Sequence, residues 1–225
     1  MADKTWGKLN MNVLAGGNIY FYSDDKLRST TAGGLTIPGF YSLKASVDPI
    51  SASSELKRKR VNSLYGKLSL SWASTYFLDV TGRNDWSSTL SKETRSYFYP
   101  SLAGSIVLSE IITLPEVWNF WKIRGSWTTS KQDAAVYDNN NVYSVSTNVW
   151  DGLGTASYPS SVIGGNVRPK KSMVYEVGTA VNFFNNRLYA DFAYFRKLES
   201  DFIISGGISS ATGLPTPSYI ILHHF

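Results

Sequence analysis

Apolar and polar residues alternate with a period of two along most of this chain, and helical spacing is almost absent. The clearest run is 173–184. Met173, Tyr175, Val177, Thr179, Val181 and Phe183 fall on one face, and Val174, Glu176, Gly178, Ala180, Asn182 and Phe184 on the other. Asn185-Asn186 then reads as a two-residue hairpin turn, because asparagine tolerates positive φ. The return strand runs from Arg187 to about Ile204. In it Leu188, Ala190, Phe192, Tyr194 and Leu198 alternate with Tyr189, Asp191, Ala193 and Lys197.

Five earlier segments repeat the pattern. Residues 6–21 set Leu9, Met11, Val13 and Ala15 against Lys8, Asn10 and Asn12. Residues 61–72 set Leu64, Leu68, Leu70 and Trp72 against Ser63, Lys67, Ser69 and Ser71. Residues 76–86 set Tyr76, Leu78 and Val80 against Asp79, Thr81, Arg83 and Asp85. Residues 97–109 set Phe98, Leu102, Ile106 and Leu108 against Ser101, Ala103 and Ser105. Residues 120–128 set Trp121, Ile123 and Trp127 against Lys122, Arg124, Ser126 and Thr128. Pro100 lacks a ladder donor and predicts a bulge or a strand start.

The connections alternate in length. They are long at 22–60, short at 73–75, medium at 87–96, short at 110–119, long at 129–172 and short at 185–186. Transmembrane barrels have this asymmetry, with short turns on the periplasmic side and longer loops outside. Aromatic residues gather at both strand ends. Trp72, Tyr76, Phe77, Trp118, Phe120, Trp121, Phe183 and Phe184 lie near the short turns; Trp86, Tyr97, Phe98 and Tyr99 lie near the medium loop. Two such belts fit a membrane barrel. A soluble β-sandwich also alternates, but several of these strands exceed the ~5–6 residues usual in soluble sheets.

Composition narrows the choice. Charged residues are 17% and aromatics 14% of 225 residues, against ~25% charged in an average soluble domain. No stretch approaches the ~20 apolar residues of a membrane-spanning helix. With no cysteine, a disulfide framework, a thiolate metal site and a cysteine nucleophile are excluded. Much of the net charge of +5 sits in Lys57-Arg58-Lys59-Arg60. One such run without a recognisable binding fold reads as a solvated loop, and no nucleic-acid partner is expected.

No catalytic constellation is visible, and neither an enzyme nor a cofactor is expected. His223 and His224 are adjacent, so on a strand they point to opposite faces and would not share a metal. Gly33-Gly34 and Gly164-Gly165 lack the lysine and helix start of a phosphate loop and read as turns. Asp79, Arg83 and Asp85 share a strand face. They form either a polar lumen patch or a salt-bridged barrel wall. Trp150, Asp151 and Tyr158 are loop candidates for stacking on or binding to a ligand.

Tyr76–Leu90 (YFLDVTGRNDWSSTL) and the returning Arg95–Ser101 (RSYFYPS) resemble the signature region of SusC/RagA-type TonB-linked outer-membrane proteins. Gly33–Leu43 (GGLTIPGFYSL), Lys59–Gly66 (KRVNSLYG), Ile123–Ser130 (IRGSWTTS) and Asn166–Phe202 are similar to flanking segments of that family in collinear order. Lys170 stands where the family commonly has Glu, and Ile220–Phe225 departs from its pattern. The resemblance implies an all-β fold, an antiparallel transmembrane β-barrel segment of about seven strands, left as an open curved sheet. Residues 1–225 would be a partial barrel domain, with plug, coupling segment and further strands lying elsewhere in a parent of ~22 strands. It further implies outer-membrane lipid, a SusD-like surface lipoprotein and TonB as partners, with oligosaccharide or oligopeptide as cargo. The departure at Ile220 reads as a frameshift, a truncation or an artificial boundary. A passive porin-like barrel and a soluble carbohydrate-binding sandwich are the rival readings.

Overall fold

The computed structural model describes residues 1–138, 140, 142–145, 151, 153–157, 161–163, 167–207, 211 and 218–223. The strands are β1 (Ala2–Trp6), β2 (Leu9–Leu35), β3 (Ser46–Trp72), β4 (Tyr76–Ser87), β5 (Ser96–Val107), β6 (Trp118–Gln132), β7 (Ser144–Val145), β8 (Ala156–Ser157), β9 (Ser161–Ile163), β10 (Lys170–Phe183), β11 (Leu188–Ser200), β12 (Phe202–Gly207) and β13 (Ser218–His223). Eight of them form one antiparallel sheet in the order β1-β2-β3-β4-β5-β6-β10-β11. That sheet is open, with β1 and β11 at its edges. Every neighbour within it is also the next long strand in sequence, a meander rather than a two-sheet sandwich.

The registers turn the alternation into two continuous faces. Along one row Val13 pairs with Leu68, Leu68 with Val80, Val80 with Leu102, and Leu102 with Trp127. Across the pleat Asn12 pairs with Ser69, Ser69 with Asp79, and Asp79 with Ala103. From Gly66 to Trp72 on β3, and on the matching stretches of β4, β5, β6 and β10, the first face carries no charge; Lys131 and Lys171, paired and in phase with Trp127 and Tyr175, lie just beyond it. At the open edges, Arg196 on β11, the partner of Tyr175, and Lys4 on β1, the partner of Met11, are exceptions. The apolar side chains of this face are open: Leu64 is 60% exposed, Val177 61% and Phe192 68%. The interior is correspondingly small. Its cluster is Leu90, Tyr97, Ala134 and Val167, with Tyr99 packed against it. A water-soluble chain of this size places its large apolar side chains in such a core; this chain leaves them open, most of them on this one face.

Tight turns gather at one end of the sheet. Gly7 (φ 58°) starts the β1–β2 turn, and Ala73 and Ser74 take φ of 53° and 55° between β3 and β4. Ala73 N–H donates to the carbonyl of Lys8 at 2.8 Å, so these two turns are fastened together. Phe184, Asn185 and Asn186 all have positive φ. The β10–β11 connection is therefore four residues, because the last pair is Phe183 with Leu188, rather than the two-residue Asn-Asn turn. At this end Trp72 stacks on Tyr76 at 5.5 Å, and Trp118 meets Trp121 at 5.5 Å and Phe183 at 5.0 Å.

Four further expectations are corrected. Residues 22–60 are mostly strand: β2 and β3 are 27 residues each and pair from Leu9–Trp72 out to Leu35–Ser46. At ~3.3 Å per residue each is ~90 Å long, far beyond the ~9–11 residues of a spanning strand. The period-2 signal fades because beyond the 12–14 residues nearest the tight turns neither face is buried. Pro100 makes no bulge; it pairs in register with Gly82, one residue before the β6 ladder begins at Ser101. Leu108 leaves β5 for a short 3-10 turn, Leu108–Glu110. Asp201 (φ 59°) ends β11, so the return strand does not continue to Ile204. Gly33 (φ 67°) and Gly34 (φ 93°) do turn the chain, at the register shift near the far end of β2.

Candidate functional site: the polar face of the sheet

The face opposite the apolar one is a lattice of hydrogen bonds and ion pairs between neighbouring strands. Asp79, Arg83 and Asp85 all lie on it, because all three are odd-numbered positions of β4. The structure brings only two of them together. Arg83 Nε donates to Asp85 Oδ1 at 2.8 Å, and a terminal nitrogen of Arg83 donates to Ser63 Oγ at 3.0 Å. Tyr99 Oη donates to the other Asp85 oxygen at 2.7 Å. Asp85 is 5% exposed and held within a network that spans three strands. Asp79 pairs instead with Lys67 on β3 at 3.5 Å.

Just beyond lies a second hub. Asp133 accepts from Lys59 at 2.7 Å, from Ser87 at 2.5 Å and from Thr89 at 3.3 Å. Ser87 is 1% exposed. This knot closes the 88–95 connection and the end of β6 over the polar face, with Tyr97 buried beneath. Thr94 Oγ1 donates to the Val167 carbonyl at 2.8 Å and ties in a third segment. Tyr97 and Tyr99 therefore belong to the polar face, whereas Trp86 and Phe98 belong to the apolar one; the single outward aromatic belt expected from their proximity splits by parity.

The third cluster sits nearer the tight turns. Arg124 on β6 reaches across Gly178 on β10 to Asp191 on β11, with nitrogen–oxygen distances of 2.8 and 3.0 Å. Glu176 lies 3.5 Å from the same guanidinium, and Tyr189 Oη donates to Asp191 at 2.8 Å. The Lys122 ammonium lies 5.5 Å over the ring of Phe77. Thr81 and Ser101 hydroxyls bond to one another between β4 and β5. Lys170, the departure from the family pattern, pairs with Glu199 at 3.1 Å and lies 4.6 Å over Phe202.

Sequence reasoning finds Asp79, Arg83 and Asp85 but misses Lys59, Ser87, Tyr99, Arg124, Asp133, Glu176 and Asp191. Charge on an otherwise apolar strand is the available signal for Arg124, Glu176 and Asp191. Nothing local marks Asp133, whose partners are 44 or more positions away. Of the loop candidates, Asp151 is an exposed turn residue with φ of 50°. Trp150, Tyr158, Gly164-Gly165 and His224 lie outside the described residues; His223 ends β13, opposite Phe202. Among the described residues no group of three or more His, Asp or Glu side chains is placed to hold a metal ion.

On the part of the β2–β3 ribbon far from the tight turns, Asp24 pairs with Lys26 at 2.8 Å, and the hydrogen-bonded ammonium holds its carboxyl below the ordinary range. Chemically the polar face offers donors, acceptors and neutralised charges on a rigid wall. It is suited to line a wet passage or to seat another polar body.

Comparison with known proteins agrees with this geometry. Two curated proteins of Formosa agariphila are similar: TonB-dependent receptor P3, 23% identical over 94% of this chain and 22% of its own length, and TonB-dependent receptor P26, 25% identical over 88% and 21%. The chain thus spans about a fifth of the curated relatives it matches. Among solved structures, the RagAB peptide transporter shares the fold with a TM-score of 0.78 at 17% identity, over 96% of this chain and 24% of that one. The RagAB peptide importer in its closed-closed state gives 0.81 over the same shares. The family model described as "TonB dependent receptor-like, beta-barrel" matches residues 2–220, and the chain belongs to that family.

Proposed function

We propose that this chain is part of the wall of an outer-membrane, TonB-dependent importer of oligopeptides or oligosaccharides. The observation that carries the proposal is the separation of faces: an apolar face that, from β3 to β10, is free of charge between the tight turns and the row of Gly66, Gly82 and Pro100, backed by a lattice of ion pairs. Only a sheet with lipid on one side and a wet lumen on the other needs both. From Trp72 to Asn62 is ten residue steps; at ~3.3 Å each and a ~45° tilt they rise ~23 Å, close to the ~25 Å apolar band of outer-membrane barrels.

On this reading the apolar face meets lipid and Asp79, Arg83 and Asp85 face the lumen, as the braced wall rather than the cargo site. The tight turns are periplasmic, and the β2–β3 ribbon stands outside. A SusD-like lipoprotein and TonB would be the partners of the whole receptor. Asp151 and its loop remain the candidates for cargo contact.

The test is uptake of labelled oligopeptides and of labelled oligosaccharides by cells with and without the gene, in the presence and absence of TonB. Uptake of either class that requires both the gene and TonB is the expected result. Uptake that requires the gene but persists without TonB would identify a passive barrel instead.

A further inference from the structure

The pleat divides the basic run Lys57-Arg58-Lys59-Arg60 into two pairs with different surroundings. Lys57 and Lys59 fall on the polar face, where Glu55 and Asp133 neutralise them at 2.7 Å. Arg58 and Arg60 fall on the apolar side, in phase with Leu64, Leu68 and Leu70. Among the described residues neither makes an ion pair.

Arg60 is held in place. Its guanidinium lies 5.0 Å over the ring of Phe21, and its Nε donates to Asn62 at 3.1 Å. Its backbone N–H donates to the hydroxyl of Ser88 at 2.9 Å, and Ser88 N–H donates back to its carbonyl at 2.9 Å. A groove opens beside it, lined by Arg60, Asn62, Trp86, Ser87, Ser88 and Arg95. None of the six is acidic. Asn62 and Trp86 are paired neighbours, with Asn62 two residues along β3 from Arg60, at the outward limit of the apolar face.

We infer that this groove binds a phosphate of an anionic glycolipid headgroup in the outer leaflet. The inference rests on the proposed membrane orientation. An arginine fork matches phosphate geometry and gives two parallel charged hydrogen bonds. Indole rings settle at the headgroup level, and basic clusters beside an apolar span draw anionic lipid. A free anion would gain the arginines but nothing from the adjoining lipid-facing surface.

The experiment uses the protein extracted from its native outer membrane in a mild detergent, with retained phosphoglycolipid counted by native mass spectrometry. R60A/R95A should cut retention about tenfold, the loss of roughly one charged bidentate contact. R28A, on the opposite face of the ribbon, should change nothing. Retention by R60A/R95A equal to the unaltered protein overturns the inference. A second measurement needs no variant: unaltered protein loaded with diphosphoryl lipid A is titrated with inorganic phosphate. Lipid that stays bound supports the assignment; displacement by millimolar phosphate shows a free-anion site and overturns it. Fractionation of the same cells separates the two claims. Absence of the chain from the outer-membrane fraction sinks the proposed function, whereas presence there with unchanged lipid in R60A/R95A sinks only this inference.

Discussion

Gly16 carries no side chain because the ring of Tyr65, its partner across β2 and β3, lies where one would be. A Cβ at Gly16 would sit 2.7 Å from the phenolic oxygen and 2.8 Å from Cζ. Gly16→Ala pushes aside the far end of a partly exposed ring and should cost about 0.5–1 kcal/mol, read as a lower urea midpoint of the protein refolded in lipid vesicles. In a Tyr65→Ala background the same change should cost much less; an equal cost in both backgrounds rules out the ring as the cause. Gly178 makes the same kind of room for the Arg124 guanidinium, whose Nε lies 2.9 Å from where a Cβ would stand. Asp85 illustrates the opposite demand, a nearly inaccessible carboxylate with three-strand support. Asp85→Asn removes a charged acceptor from Arg83 and Tyr99 and should cost about 1.5–3 kcal/mol. Asp79→Asn, at an ion pair that is nearly half exposed on both sides, should cost less than about 1 kcal/mol. If the two substitutions prove equal, the braced-wall account of Asp85 fails.

At the scale of the strands, the two faces obey different rules for charge. Leu68 and Leu102 lie in the row midway between the tight turns and the Asn62–Trp86 row. Leu68→Arg or Leu102→Arg should cost about 2–4 kcal/mol at the bilayer midplane. Ser69→Arg, one residue along β3 and opposite Asp79, should be tolerated within about 0.5 kcal/mol. Unfolding in vesicles compares them directly, and equal costs would refute the assignment of faces. The same alternation decides the basic run. Its four residues form one charged segment in sequence, yet the pleat gives each pair a different neighbourhood.

At the scale of the molecule, orientation follows from where the ribbon stands. Lys26, Arg28 and Lys57 lie on its part far from the tight turns, and Lys67 and Lys122 on the part that carries the apolar band. Trypsin added to intact cells should cut at the first three and spare the last two, as seen by mass spectrometry of released peptides. Cuts near Lys8 at the tight-turn end before permeabilisation would reverse the orientation. The open edges at β1 and β11 are a second property of this scale. β11 is exposed on both faces, with Phe192, Tyr194 and Phe195 each about two-thirds or more open. Bare ladder groups at such edges pair readily with another strand.

The existence and facing of the seven long strands β2–β6, β10 and β11 are legible in the sequence; the short strands β1, β7–β9, β12 and β13 are not. Side chains alternate with a period of two, so a continuous apolar face prints itself directly on residues such as Leu64, Leu68 and Leu70. The signature around Thr81–Ser88 likewise marks the family without any geometry. The extent of β2 and β3 is not legible, because past the apolar band no solvent prefers one face and the pattern loses its contrast. The four-residue turn at Phe184–Arg187 depends on register, which is a property of two strands at once. The hubs at Asp85 and Asp133 depend on contacts between segments far apart in sequence, where no local pattern forms. A repeating environment writes a repeating sequence; a meeting of distant residues leaves only single, unmarked side chains, and the tertiary structure alone decides which of them touch.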